Sequence, residues 1–382
     1  MPPGKIGIIQ KEDYSNITEY ILNFSDIESD NNKDWVSFSD PSSIDKPDER
    51  KSLFENRVIK NFDDISDQDI NYPKENDWTS WRRTPLGFGY SPLKQVNKEN
   101  VQKLKLSWSL TMNEGSNQGT PLISQGVMFL THPGNMIQAL NAANGKLMWE
   151  YKYPYPKDSM LLGGPTKNIA IYKDKVYMAT YDAALIALDI RTGKLLWKNI
   201  KADYKDGYTH SSGPIIANGV VISGINGCER YIEDGCFITG HDPDSGKELW
   251  RTSTVALSED INGSSWGNTP DIFRAGSDTW IAGSYDPVLN IFYIGTSQAK
   301  PWVAASRGMS PNDKALYTNS TLAMNPQTGK ILWFFQHIQG ETIDMEVGFE
   351  RILADVDDKK LLLTIGKDGI LWKLDREKGN FI

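Results

Sequence analysis

A phrase of eleven residues recurs four times in this chain and constrains its fold more than any other feature. It reads Ala139–Trp149 (ALNAANGKLMW), Ala187–Trp197 (ALDIRTGKLLW), Gly240–Trp250 (GHDPDSGKELW) and Ala323–Trp333 (AMNPQTGKILW), with a degraded copy, Lys373–Ile382 (KLDREKGNFI), last. Each copy passes from an apolar strand end to an Asp or Asn, then a Gly, then a Lys or Asn, and closes on an aromatic or apolar residue. That order encodes a hairpin with a bulged turn, because Gly takes a positive φ that a residue bearing a Cβ resists. Trp149, Trp197 and Trp250 fall 48 and 53 residues apart, the length of one four-stranded sheet, and Trp333 follows after 83. Repetition of this kind in an all-β chain predicts a β-propeller, with these four Trp residues as pegs of the blades.

The 382 residues would accommodate two domains on length alone, but the repeat gives most of them to one architecture. Hydrophobic residues at 39% and charged residues at 24% are enough for a packed core. A net charge of −8 with four His leaves no basic face, which excludes nucleic acid as the expected ligand. No stretch approaches the roughly 20 consecutive apolar residues that span a bilayer, and no leader-like n-region and h-region open the chain. The chain stops at Phe381-Ile382 on the turn of a repeat, which would leave strand edge unpaired, so a fragment is expected and the missing leader carries no weight.

The front end fits that expectation. Met1-Pro2-Pro3-Gly4, followed by Tyr14, Ile17, Tyr20 and Ile21 at helical spacing, makes residues 1–23 resemble the C-terminal tail of a cytochrome c-like domain. The resemblance implies that the Met1 sulfur is a haem axial ligand, a soft neutral group that raises the potential; the alternative is an initiator Met before a Pro-rich start. The Cys-x-x-Cys-His that would hold haem c is absent, so the haem would belong to an upstream domain. Residues 24–77 are acidic and rich in Ser, Asp and Asn, and read as a linker or surface wrap. The propeller is expected over residues 78–382.

From Trp81 onward the order of motifs resembles the quinoprotein alcohol dehydrogenases, the methanol and ethanol dehydrogenase-like enzymes on an eight-bladed propeller around pyrroloquinoline quinone (PQQ). The matching stretches are Tyr90–Leu93 with Gln95–Asn97, Gly119–Leu122, the Gly-Lys-x-x-Trp turns and Gly224–Trp250. They continue through Thr279–Trp302, Asp344–Glu350 (DMEVGFE) and Gly366–Arg376. A cytochrome-fused branch matches best.

The resemblance implies a set of roles. Glu229, Gln298 and Asp344 fall at the metal ligands, oxygen donors suited to a hard Ca2+ or lanthanide ion; the family usually has Asn where Gln298 stands. Asp344 also matches the catalytic base, which takes the alcohol proton while hydride moves to the quinone. Lys367 matches the cation near the quinone oxygens, with an exposed turn Lys as the alternative. Trp280 matches the indole on which the cofactor stacks, and Lys167, Ser211 and Asn226 fall where relatives contact cofactor carboxylates. Glu346, two residues after Asp344, stands where lanthanide-dependent members carry a further Asp; extended backbone would put both carboxylates on one side, and the alternative is a solvent-facing Glu. Cys228 and Cys236, the only cysteines, would pin Glu229 if bridged, which a periplasmic location permits; two reduced core thiols are the alternative.

The leading expectation is therefore a PQQ-dependent oxidation of a small, primary alcohol to the aldehyde, with electrons passed to a cytochrome c in the periplasm. The rivals are a non-catalytic propeller scaffold of the outer-membrane assembly type and an inactive truncated relative. Glu229, Gln298 and Asp344 are expected to converge on one metal-sized space with the Trp280 ring nearby, and this chain alone is expected to be inactive.

Overall fold

The computed structural model describes residues 57–229, 235–310 and 312–382. Among them, four four-stranded antiparallel sheets and one three-stranded sheet follow one another along the chain. The first blade holds β1 (Leu122–Ser124), β2 (Val127–His132), β3 (Met136–Asn141) and β4 (Leu147–Lys152), and the second β5 (Ala170–Tyr172), β6 (Lys175–Ala179), β7 (Ala184–Asp189) and β8 (Leu195–Ile200). The third holds β9 (Ile215–Ala217), β10 (Val220–Ser223), β11 (Phe237–His241) and β12 (Glu248–Ser253). A two-stranded ribbon joins β13 (Ala275–Gly276) to β16 (Ala299–Lys300). The fourth blade is β14 (Ser284–Asp286), β15 (Ile291–Gly295), β17 (Ser320–Met324) and β18 (Ile331–Gln336); the fifth sheet is β19 (Ile352–Val356), β20 (Lys359–Ile365) and β21 (Leu371–Asp375).

The recurring phrase forms the turn between the third and fourth strands of a blade. In the second copy, Asp189 Oδ1 accepts from the N–H groups of Arg191 and Thr192, which closes an Asx turn. Gly193 then takes φ 70° and donates its N–H to the Asp189 carbonyl, and the register slips by one residue between Ala187 and Leu188. The same slip occurs at Ala139/Leu140, Gly240/His241 and Ala323/Met324. This is the G1-type bulge that the Gly predicts.

That Gly has a second task. A Cβ on Gly193 would lie 2.6 Å from the Trp149 indole, and one on Gly246 or Gly329 would lie 2.5 Å from Trp197 or 2.3 Å from Trp250. Each indole thus lies on the bare backbone of the following blade's turn. Trp149, Trp197 and Trp250 also donate their Nε1–H to the carbonyls of Ile190, Pro243 and Pro326 in those turns. Trp333 packs likewise on Gly379, at 2.4 Å from where its Cβ would stand.

Of the stretch read as a linker or wrap, the described part from residue 57 to residue 77 packs onto the blades. Ile59, Phe62, Ile65 and Ile70 join the core around Trp149 and Ile171. A short helix α1 (Asp67–Asn71), capped by Ser66, fixes Asp67, whose carboxylate accepts from the Tyr172 hydroxyl and the Gly219 N–H. Sparse apolar residues suffice because Ile59, Phe62, Ile65 and Ile70 face inward, while Val58 and Tyr72 stay exposed. The cytochrome-like tail, Met1 included, lies outside the described residues. Residues 94–110 belong to a second unit, with a short 3-10 turn, Val101–Lys103, preceded by an Asn97 side chain that accepts from the N–H groups of Glu99 and Asn100.

Gly329 and Gly369 share φ 70°, but only Gly329 is covered by an indole, whereas nothing lies within 4 Å of a Cβ on Gly369. Gly369→Ala is expected to cost about 1–2 kcal/mol, the left-handed penalty alone. Gly329→Ala adds overpacking and is expected to cost roughly 3 kcal/mol or more. Denaturant midpoints of the two variants check the difference; equal losses would dismiss the docking account.

Candidate functional site

In an antiparallel pair the start of one strand and the end of the next lie at the same edge. Segments that enter the first strand of each blade and leave its second strand therefore meet at one end of the propeller. Lys167 precedes β5; Ser211 precedes β9, and Asn226 and Glu229 follow β10; Asp278 and Trp280 precede β14, and Gln298 follows β15. Asp344, Glu346 and Phe349 precede β19, and Lys367 follows β20. All of them line one cavity of about 510 Å³, together with Leu162, Ser297, Lys300 and Trp302. The nine residues singled out from sequence as metal, cofactor and catalytic positions are thus neighbours around a single space.

Two lysines order its carboxylates. Lys367 Nζ lies 2.8 Å from Asp344 Oδ2 and 2.9 Å from Glu346 Oε1, and these carboxylates hold its pKa above the ordinary value against the opposing pull of burial. Lys367 lies exposed in a turn, as the alternative has it, yet pairs with both carboxylates, and Glu346, 8% exposed, does not face solvent. The expectation of extended backbone between Asp344 and Glu346 is corrected: Asp344 has φ 67°, in the left-handed region. The shared ammonium, and not strand periodicity, brings the two carboxylates together. Buried Glu341 braces this loop by accepting from the N–H groups of Ile343 and Met345.

On another wall, Lys300 Nζ lies 2.5 Å from Glu229 Oε1 and 3.5 Å from Asp278 Oδ2. Burial lowers its pKa, but Asp278 and Glu229 outweigh burial and raise it. Asp278 is anchored through Oδ1, which accepts from the N–H groups of Gly227 and Cys228, and through Oδ2, which accepts from the Ser297 hydroxyl. Cys228 and Cys236 are joined by a disulfide, which ties the chain immediately before Glu229 to the start of β11. Between these groups Gln298 Oε1 is buried with no hydrogen-bond partner among the described residues.

Trp280 closes the cavity. Its Nε1–H donates to Glu346 Oε2 at 3.1 Å, its ring meets Phe349 edge-on at 5.0 Å, and Lys167 Nζ lies 5.2 Å from the ring centroid. Gly348 passes so close that a Cβ there would stand 3.2 Å from the indole nitrogen. Burial drives Lys167 down to about 8, with only distant support from Glu350. It has no carboxylate within ion-pairing distance among the described residues, so the site holds a partly desolvated cation without a counter-ion. Ser211 and Asn226 are linked, the Ser211 N–H donating to Asn226 Oδ1 at 3.2 Å.

Asp278, Lys300 and Phe349 were missed from sequence. Asp278 lies two residues before Trp280 and Lys300 two residues after Gln298, so period-two spacing from residues already chosen was the available signal. The charge of this donor set suits a cation, although among the described residues no three of its carboxylates draw within 4.8 Å of one another. Glu229, Asp278, Asp344 and Glu346 give four carboxylates against the two lysines paired with them, and the Gln298 carbonyl is left to be satisfied.

The family model described as PQQ: glucose/ethanol/alcohol dehydrogenase, β-propeller domain, matches residues 78–382. The chain is 32% identical over 328 residues to quinohemoprotein alcohol dehydrogenase ADH-IIG of Pseudomonas putida, covering 80% of this chain and 45% of that protein. It is 33% identical over 319 residues to quinoprotein alcohol dehydrogenase PedH of Pseudomonas putida, covering 78% and 53%. Among solved structures, quinohemoprotein alcohol dehydrogenase ADHIIG from Pseudomonas putida HK5 superposes with TM-score 0.73 at 30% identity, covering 81% of this chain and 47% of that one. A europium-containing methanol dehydrogenase superposes with TM-score 0.74 at 25% identity, covering 81% and 57%. The chain spans about half the length of the relatives it matches.

Lys167 supplies a pH test. Its pKa is near 8 when folded and 10.5 when unfolded, so between these values the unfolded chain binds a proton that the folded chain does not. Stability gains from this group as pH rises from about 8 to 10.5. Lys167→Met is expected to lose that component in denaturant titrations across the window; an identical rise in the variant assigns it elsewhere.

Proposed function

This chain belongs to the family of PQQ-dependent glucose, ethanol and alcohol dehydrogenase propellers, and from that premise we propose that it carries the site at which a small primary alcohol is oxidised to its aldehyde. The observation that carries this reading is the Asp344–Lys367–Glu346 cluster beside the Trp280 ring, within a cavity large enough for a flat cofactor and a small substrate. When bound, PQQ supplies the two-electron acceptor and a metal ion supplies the Lewis acid that activates it.

The chain's own residues divide the remaining work. The Asp344 carboxylate takes the proton of the substrate hydroxyl, and Lys367 holds that carboxylate in place. Trp280 offers an aromatic face, and Lys167, with no carboxylate partner among the described residues, supplies positive charge for the carboxylates of the cofactor, with Ser211 and Asn226 as polar contacts. Glu229, Gln298 and Asp344 would hold the metal, and Glu346 would add the further carboxylate that a trivalent ion favours over Ca2+. Leu162, Trp302 and Phe349 present apolar surface to the carbon skeleton of the alcohol. Electrons leave to a cytochrome c, as the quinohemoprotein names of the relatives suggest. The Cys228–Cys236 disulfide favours a periplasmic setting, and no helix among the described residues is long and apolar enough to cross a membrane.

Asp344→Asn in the full-length enzyme reconstituted with PQQ and Ca2+ or La3+ is expected to lower kcat about 10²–10⁴-fold while cofactor binding, read by quenching of Trp fluorescence, persists. Turnover within twofold of wild type would remove Asp344 as the base. Glu346→Ala is expected to weaken La3+-supported activity most. Equal activity with Ca2+ and La3+, unchanged by that substitution, would rule out the lanthanide preference.

A further inference from the structure

Lys300 occupies a position that the reaction, as described, does not use. Its side chain is 12% exposed, and its ammonium sits directly against Glu229 and within reach of Asp278. The two partners differ in freedom. Asp278 is 3% exposed and tied by two backbone N–H groups and the Ser297 hydroxyl, whereas the Glu229 side chain is 50% exposed and has only Lys300 as an ion-pair partner among the described residues.

The strand that carries Lys300 is equally fixed. Lys300 pairs with Ala275 in the ribbon, Ser277 donates its N–H to the Gln298 carbonyl, and a Cβ on Gly276 would meet that same carbonyl at 2.2 Å. The Lys300 ammonium is thus a positive charge delivered by rigid backbone to the Glu229 oxygen that a metal there would need. A cation entering there competes with one already in place.

We infer that Lys300 is a tethered counter-ion of the metal site, holding Glu229 when no metal is bound and releasing it to the metal, with Asp278 as the partner that remains. The inference rests on the metal reading of Glu229, Gln298 and Asp344 given above. Two consequences follow from charge. Lys300 lowers the affinity of the site for any metal ion, and it lowers that for a trivalent ion more than for a divalent one, because the repulsion scales with the charge product.

The test uses Tb3+, whose emission is sensitised by a nearby indole, since Trp280 and Trp302 both line the cavity; Ca2+ is followed by competition. Lys300→Met is expected to tighten Tb3+ binding by about tenfold or more and Ca2+ binding by a smaller factor, while Lys300→Arg keeps wild-type affinities. Equal Tb3+ affinity in wild type and Lys300→Met overturns the counter-ion and leaves the metal site standing. Failure of both to bind Tb3+, by emission and by calorimetry, overturns the metal reading and this inference with it. A second measurement needs no variant: acetylation of Lys300 in the wild-type protein, followed by peptide mass spectrometry, is expected to speed up several-fold on adding Tb3+. Unchanged or slower labelling overturns the inference.

Discussion

An indole resting on a glycine of the next blade is the contact on which the remainder of this structure depends. It combines apolar burial with a hydrogen bond from Nε1 to a turn carbonyl, and it exists only because the receiving backbone carries no Cβ. The same glycine supplies the positive φ of the bulged turn, so one residue serves both the shape of its own hairpin and the seat of its neighbour's Trp. Blades are therefore joined pairwise, each to the next, in the manner of repeat proteins.

Once the blades are stacked, the chemistry follows from their antiparallel wiring. Segments that enter first strands and leave second strands converge, and the loops there need not be long to place carboxylates and lysines from four blades around one space. The cavity is ordered by its own charges: Lys367 clamps Asp344 to Glu346 and Lys300 clamps Glu229 near Asp278. Such pairs add little to stability where they are half-exposed. Their contribution here is geometric, fixing where the carboxylate oxygens stand along the cavity wall.

Much of this was legible in the sequence because the repeat joins local and long-range information. The Asp/Asn-x-x-x-Gly spacing specifies the turn, and the closing Trp specifies what the turn receives. Trp280 stood out by breaking that context, and it does line the cavity. Lys300 and Asp278 were legible only through period-two spacing from Gln298 and Trp280, because a charged residue beside a strand otherwise reads as solvated until the opposing wall is known. The conformation of Asp344 was hidden for a similar reason: its left-handed φ is imposed by Glu341 bonding to the N–H groups on both sides of it, a contact no periodicity announces. The segment from residue 57 to residue 77 was obscured by composition, since four apolar residues among many acids carry its apolar packing.

That left-handed conformation at Asp344 also bears on how such a protein loses its trade. Asp, Asn and Gly tolerate the region well and longer or branched side chains poorly, so the backbone itself screens which residues can occupy the position. A drift from Asp to Asn or Gly satisfies the screen and removes the carboxylate, whereas a drift to Glu keeps the charge and strains the loop. Disarmament is thus the conformationally easy path. A descendant of this fold can lose the Asp344 carboxylate while its blades and turns stay as they were, and Lys367, still paired with Glu346, would mark where it stood.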